Sequence, residues 1–159
     1  MITEIISLVL GAAGLCFGLY QFYQNSKIKR AEQLNSIITR IWSDDEIRSV
    51  IQMWEYNDSW YEPSSFHGSA RETKIDKTLQ YLSYVCYMYK MKLLHENEFA
   101  TIEYEIVRAL KNKSVIEYLQ FLYSFSKCAV SDNRTIPFPF IDLLNYCLDK
   151  SIISKELFN

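Results

Sequence analysis

From Ile5 to Tyr23 the chain reads IISLVLGAAGLCFGLYQFY, nineteen residues without a charge. Wound as a helix rising 1.5 Å per residue, that run covers about 28 Å, close to the ~30 Å hydrocarbon core of a bilayer. Tyr20, Phe22 and Tyr23 gather at its far end, and Lys27, Lys29 and Arg30 follow at once, whereas Glu4 is the one charge before it. Aromatics at the headgroup level and cations just beyond predict a single transmembrane helix, with the N-terminus outside and the C-terminal side in the cytosol, as in a bacterial inner membrane. A cleaved signal peptide would want a basic leading segment, which MITE is not. A lipoprotein signal would want a small residue before its cysteine, and Leu15 precedes Cys16. The expected organisation is an anchor over 1–30 and a cytosolic domain over 31–159.

The apolar run has a distinct face. At 100° per residue, Ser7, Gly11, Gly14 and Gly18 fall within an arc of about 60°, and Gln21 and Asn25 prolong the stripe. Gly14 and Gly18 make a GxxxG pair. Small residues let helix backbones approach closely, and polar side chains bond across the contact. Ser7, Gly11, Gly14, Gly18 and Gln21 are therefore expected to pack spans together, so a homo-oligomer is expected.

The remainder reads as helices throughout. Of four glycines, only Gly68 lies outside the apolar run, and neither glycine nor proline occurs between Gly68 and Pro137, so nothing there punctuates strands or tight hairpins. The fold class expected is all-α: one N-terminal transmembrane helix followed by a cytosolic bundle of about five to six helices. Ser43 to Glu46 and Ser114 to Glu117 have capping-box spacing, each opening a helix. A central helix is expected over about 71–94, apolar nearly all round, with Ile75, Leu79, Leu82, Cys86, Tyr89 and Leu93 on one face and Tyr81, Tyr84, Val85, Tyr87 and Met88 on the others. Asn57 to Ala70 is the long irregular stretch, and its Trp60, Tyr61 and Phe66 predict that it packs onto something. A second loop is expected over 131–137.

Composition narrows the chemistry. The whole chain carries −2 and its first thirty residues +2, which leaves −4 for 31–159. A mildly acidic domain is a poor partner for duplex DNA. Cys16, Cys86, Cys128 and Cys147 form no CxxC pair and sit in apolar patterns, which implies reduced thiols, no disulfide and no zinc. His67 and His95 lie far apart, and HENEF has Phe99 where a zinc-protease helix needs its second histidine. With no phosphate-binding glycine loop and no nucleophile motif, neither an enzyme nor a cofactor is expected. One place suits an anion: the loop ends at a helix start where His67, Arg71, Lys74 and Lys77 follow, and helix N-termini flanked by cations attract phosphate. Those four residues are the expected ligand-binding set.

The glycine-bearing span, its basic flank, IWSDDEIRSVI, and the IDKTLQYLSYVCYMYKMKLL helix with HENEF after it together resemble a group of small bacterial proteins built from one span and a helical cytosolic domain. Some of these are membrane effectors of antiviral defence associated with type III CRISPR systems. The resemblance implies a cytosolic domain that senses a cyclic oligoadenylate and a span that perturbs the membrane. The alternative is a passive anchor or adaptor whose helices dock a partner protein.

Overall fold

The computed structural model describes residues 2–56, 59–128 and 137–158; the side chains of Glu4, Ile5, Leu8 and Cys128 also fall outside that description. Asn57 and Asp58 of the first expected loop, and 131–136 of the second, thus lie outside the described residues. Those described form seven α-helices and no strand: α1 (Ile2–Ser43), α2 (Asp45–Tyr56), α3 (Pro63–Phe66), α4 (Ala70–Lys90), α5 (Glu96–Lys111), α6 (Lys113–Cys128) and α7 (Ile141–Asp149), with a 3-10 turn at Lys155–Phe158. The all-helical class follows from the missing glycine and proline punctuation. The chain divides into two units, 1–37 and 38–159.

The first unit is helix alone. Large apolar side chains stand exposed along it, among them Leu10, Leu15, Phe17 and Phe22. Its serine hydroxyls bond within the helix, Ser7 to the Thr3 carbonyl at 2.9 Å and Ser26 to that of Phe22 at 2.8 Å. A Cβ built on Gly11, Gly14 or Gly18 would meet nothing within 4 Å. Among the described residues no helix is long and apolar enough to cross a membrane. Beyond Tyr23 the apolar run gives way to Gln24, Asn25, Ser26 and Lys27.

The second unit is built around α4, which packs against α7, α2 and α5. Ile75, Leu79, Leu82, Val85 and Cys86 of this helix are buried among Ile47, Val50 and Trp54 of α2, Ile102, Ile106 and Leu110 of α5, and Leu143 and Cys147 of α7. The central position expected for this helix is observed, but it ends four residues early, at Lys90. Leu93 N–H donates to the Met88 carbonyl and Lys92 N–H to that of Tyr89, both at 2.9 Å. That is a Schellman ending, with Lys92 at φ 58° in the place usually given to glycine. A second one closes α7, where Ser151 takes φ 55° and Ile152 N–H donates to the Cys147 carbonyl at 2.9 Å.

Both helix starts read as capping boxes are capped by another residue one or two positions away. Ser43 ends α1, donating to the Thr39 carbonyl at 2.6 Å. Asp44 caps α2, its Oδ1 accepting from Glu46 N–H at 3.1 Å and Ile47 N–H at 3.3 Å. Likewise Asn112, the single residue between α5 and α6, accepts from Val115 N–H at 3.1 Å. Its side chain also accepts from Trp60 Nε1 at 3.0 Å and donates to the Trp54 carbonyl at 3.1 Å, while only 2% of the residue is exposed. Ser114 Oγ accepts Tyr61 N–H at 3.2 Å.

Asn112→Ala removes a helix cap and strands a buried indole donor and a buried carbonyl, so a loss of about 3 kcal/mol is expected. Urea unfolding of the wild type and the variant measures it. A loss no larger than that of a surface substitution would show that water replaces the amide.

Candidate functional site

The loop before α4 is docked rather than free. Trp60 is tied to Asn112 and Tyr61 N–H to Ser114, which fastens the segment to the start of α6. Trp60 and Phe66 are buried, and their rings pack with Tyr61 and Tyr118 at centroid distances of 5.0 to 6.4 Å. These are edge and tilted contacts of the kind that ring quadrupoles favour. His67 closes the cluster by lying over Phe121, 4.3 Å between centroids.

A chain of hydrogen bonds runs along one side of this aromatic cluster. Tyr61 Oη is 3.3 Å from His67 Nε2, and His67 Nδ1 is 2.9 Å from Glu72 Oε1. Tyr118 donates its one proton between Asp76 Oδ1 at 2.7 Å and Glu72 Oε1 at 3.2 Å. Glu72 Oε2 accepts Gly68 N–H at 2.6 Å, and Glu72 N–H donates to Ser69 Oγ at 3.1 Å. Ser69 and Glu72 thus close the start of α4 as a variant capping box, the carboxylate reaching one residue beyond the cap. Gly68, at φ 78°, supplies the left-handed backbone that turns the chain there.

The two carboxyls of this chain are driven apart. Burial pushes Glu72 up, but the bonds from His67, Gly68 and Tyr118 together outweigh it and hold the group below the usual range. Burial dominates at Asp76 and raises it, with Glu72 adding and Tyr118 opposing. Burial and the two carboxylates also raise the Tyr118 hydroxyl, which stays protonated and acts as the donor.

Of the four residues expected to bind an anion, His67 and Lys77 are engaged by carboxylates. His67 is held by Glu72. Lys77 reaches α2, bonding Glu46 Oε2 at 2.6 Å and Asp44 Oδ2 at 2.9 Å. Those bonds raise Lys77, and the one from Lys77 lowers Asp44, with burial opposing. Lys77 is therefore a strut between α2 and α4. Arg71 and Lys74 are exposed, and Arg71 lines a pocket of about 330 Å³ together with Trp60, Ser65, Phe66 and Ser69. A second pocket, about 320 Å³, lies between α4 and α7 and is lined by Cys86, Tyr89, Tyr146 and the Lys90–Asp142 ion pair among others. Cys86 and Cys147 are buried thiols raised by that burial, Cys147 to about 12, so neither is an activated nucleophile. No cluster of metal-ligating side chains occurs among the described residues.

Sequence reasoning missed Tyr118 as the link between the two carboxylates; nothing in its spacing marks that role. The Glu72 cap was detectable, since Ser69 and Glu72 have the S-x-x-E spacing of a helix start. The chain matches no known protein family, no curated protein sequence and no solved structure.

Glu72 contributes stability above the ordinary glutamate range, and that contribution is lost as pH falls through its lowered folded value. Asp76 has the opposite sign: its penalty is present at neutral pH and relieved as pH falls through its raised value. Glu72→Gln should then cost about 1–2 kcal/mol at pH 7 and progressively less in acid, while Asp76→Asn is neutral or stabilising at pH 7. Urea midpoints across the acid range, for both variants, decide this; equal losses at every pH would remove Glu72 as an ionised partner.

Proposed function

We propose that this chain is a membrane-anchored, oligomerising protein whose first unit inserts into a lipid bilayer and whose second unit is a recognition domain that acts by binding, without catalysis. One observation carries this reading: the large apolar side chains exposed on the first unit point to most sides of the helix. At 100° per residue, the exposed residues from Ile2 to Ile28 cover about 240° of azimuth. An apolar surface of that extent marks a membrane or protein contact, because water-soluble monomers rarely expose one. Serine hydroxyls satisfied inside the helix remove a cost of entering hydrocarbon.

The uncovered arc is where Ser7, Gly11, Gly14, Gly18 and Gln21 fall. Each interior glycine costs a helix about 1 kcal/mol relative to alanine, and no neighbour within the chain requires one at these positions. Close approach by the same face of a second copy is the use that fits a GxxxG stripe.

Cys16, exposed at the middle of the apolar stretch, reports on the anchor. In right-side-out and in inside-out vesicles, a Cys128→Ser variant should resist a membrane-impermeant maleimide from either side and react after detergent is added. Ready labelling from one side without detergent would mean that the helix is not embedded.

A second reading rests on the Arg71 pocket. There the recognised ligand is an anionic nucleotide of the cyclic oligoadenylate class, with Arg71 and Lys74 meeting phosphate and the Trp60 and Phe66 walls facing a base. His67 and Lys77 then position the loop and the helix rather than touch the ligand. Calorimetry with cyclic oligoadenylates should give binding to the wild type, weakened about tenfold or more by Arg71→Ala with Lys74→Ala. No binding by the wild type leaves the anchor or adaptor reading, in which the helical domain docks a partner protein.

A further inference from the structure

At the end of the apolar stretch, three aromatic and three cationic side chains are arranged in two successive rings. Tyr20, Phe22 and Tyr23 are exposed by 59%, 73% and 57%. One turn further on stand Lys27, Lys29 and Arg30. At 100° per residue, Tyr20 and Phe22 lie about 160° apart, and so do Lys27 and Lys29, with Arg30 between the latter two. Lys27 Nζ sits 4.4 Å from the Tyr23 ring centroid, so one cation of the second ring rests on an aromatic of the first. Lys27 and Lys29 are exposed and pair with no carboxylate among the described residues. A helix lying along a membrane surface collects its cations on one face, away from the apolar one. Cations on opposite sides of the axis do not suit that posture: one of them would face the acyl chains.

We infer that Lys27 and Lys29, above the Tyr20, Phe22 and Tyr23 ring, form a collar that binds anionic phospholipid headgroups around a helix standing across the interface. This rests on the anchoring reading and adds to it a lipid chemistry and an orientation. The apolar run below the aromatics takes the acyl chains. The rings sit at the carbonyl and glycerol level, where amphipathic aromatics are favoured. The ammonium groups reach the phosphates, and each lysine near an anionic surface adds attraction that falls off within a Debye length. A zwitterionic surface satisfies the apolar run but offers the collar no net negative charge. The collar therefore selects among lipids, while the run supplies insertion.

The test uses the full chain with phosphatidylcholine vesicles, with and without phosphatidylglycerol, in flotation assays at low and high salt. Phosphatidylglycerol should raise partitioning of the wild type at low salt, and Lys27→Gln with Lys29→Gln should remove about tenfold or more of that partitioning while leaving binding to pure phosphatidylcholine unchanged. In the Cys128→Ser background, a bimane label on Cys16 should be quenched by deep lipid quenchers, and one on Ser26→Cys, with Cys16→Ser, by shallow ones. Partitioning indifferent to phosphatidylglycerol overturns the collar and leaves the anchor standing. Equal depth at the two labels overturns the upright orientation. Failure to float with any vesicle removes the anchor itself, and the collar with it.

Discussion

The second unit depends on one buried amide. Asn112 breaks the helical path between α5 and α6 without glycine or proline, and its side chain then serves the elements that meet at the break. It caps α6, holds the Trp60 indole and closes a carbonyl at the end of α2. Each of those groups would otherwise be a buried polar atom without a partner, which costs more than an ordinary hydrogen bond gains. An aspartate in the same place could cap the helix and accept the indole, but it has no donor for the Trp54 carbonyl. Only an amide of this length both gives and accepts there.

This arrangement explains which parts of the fold were legible from sequence. Amphipathic segments such as α2 and α5 reveal themselves through apolar spacing, with Ile47, Val50 and Trp54 buried on the first and Phe99, Ile102 and Ile106 on the second. The absence of glycine and proline over nearly seventy residues fixes the class. Ends were harder to place. Lys92 and Ser151 occupy left-handed positions without the glycine that usually announces them, so α4 is easily read past its stop. At the starts of α2 and α6 two candidate capping residues lie close in sequence, Ser43 beside Asp44 and Asn112 two positions before Ser114. Spacing alone does not choose between them. Tertiary demand does, because Asn112 is needed by two tryptophans and Ser114 by Tyr61.

The candidate site was legible in position more than in composition. Its loop aromatics and the helix start beside them could be named from the sequence. What could not be read was how its charges are shared. Acidic residues close in sequence, Glu72 and Asp76, meet a tyrosine some forty positions away, and the cation expected beside them, Lys77, turns to α2. A cation three residues from another on a helix is a neighbour only until a carboxylate elsewhere claims it. The two units differ in the same sense. The second ties Asn112 and Tyr118 to long-range partners, whereas the first bonds Ser7 and Ser26 within its own helix and exposes apolar side chains along much of its length.

The position of Glu72 bears on selectivity at the start of α4. Its carboxylate already occupies the Gly68 amide and the His67 ring, as a bound anion would. A group tethered within a few residues acts at an effective concentration of about millimolar or above. Any free anion seeking those donors therefore faces a resident competitor that never diffuses away. A single carboxylate or phosphate from solution gains little by displacing it. The built-in carboxylate thus fills, from within the chain, donors that a simple anion would otherwise take.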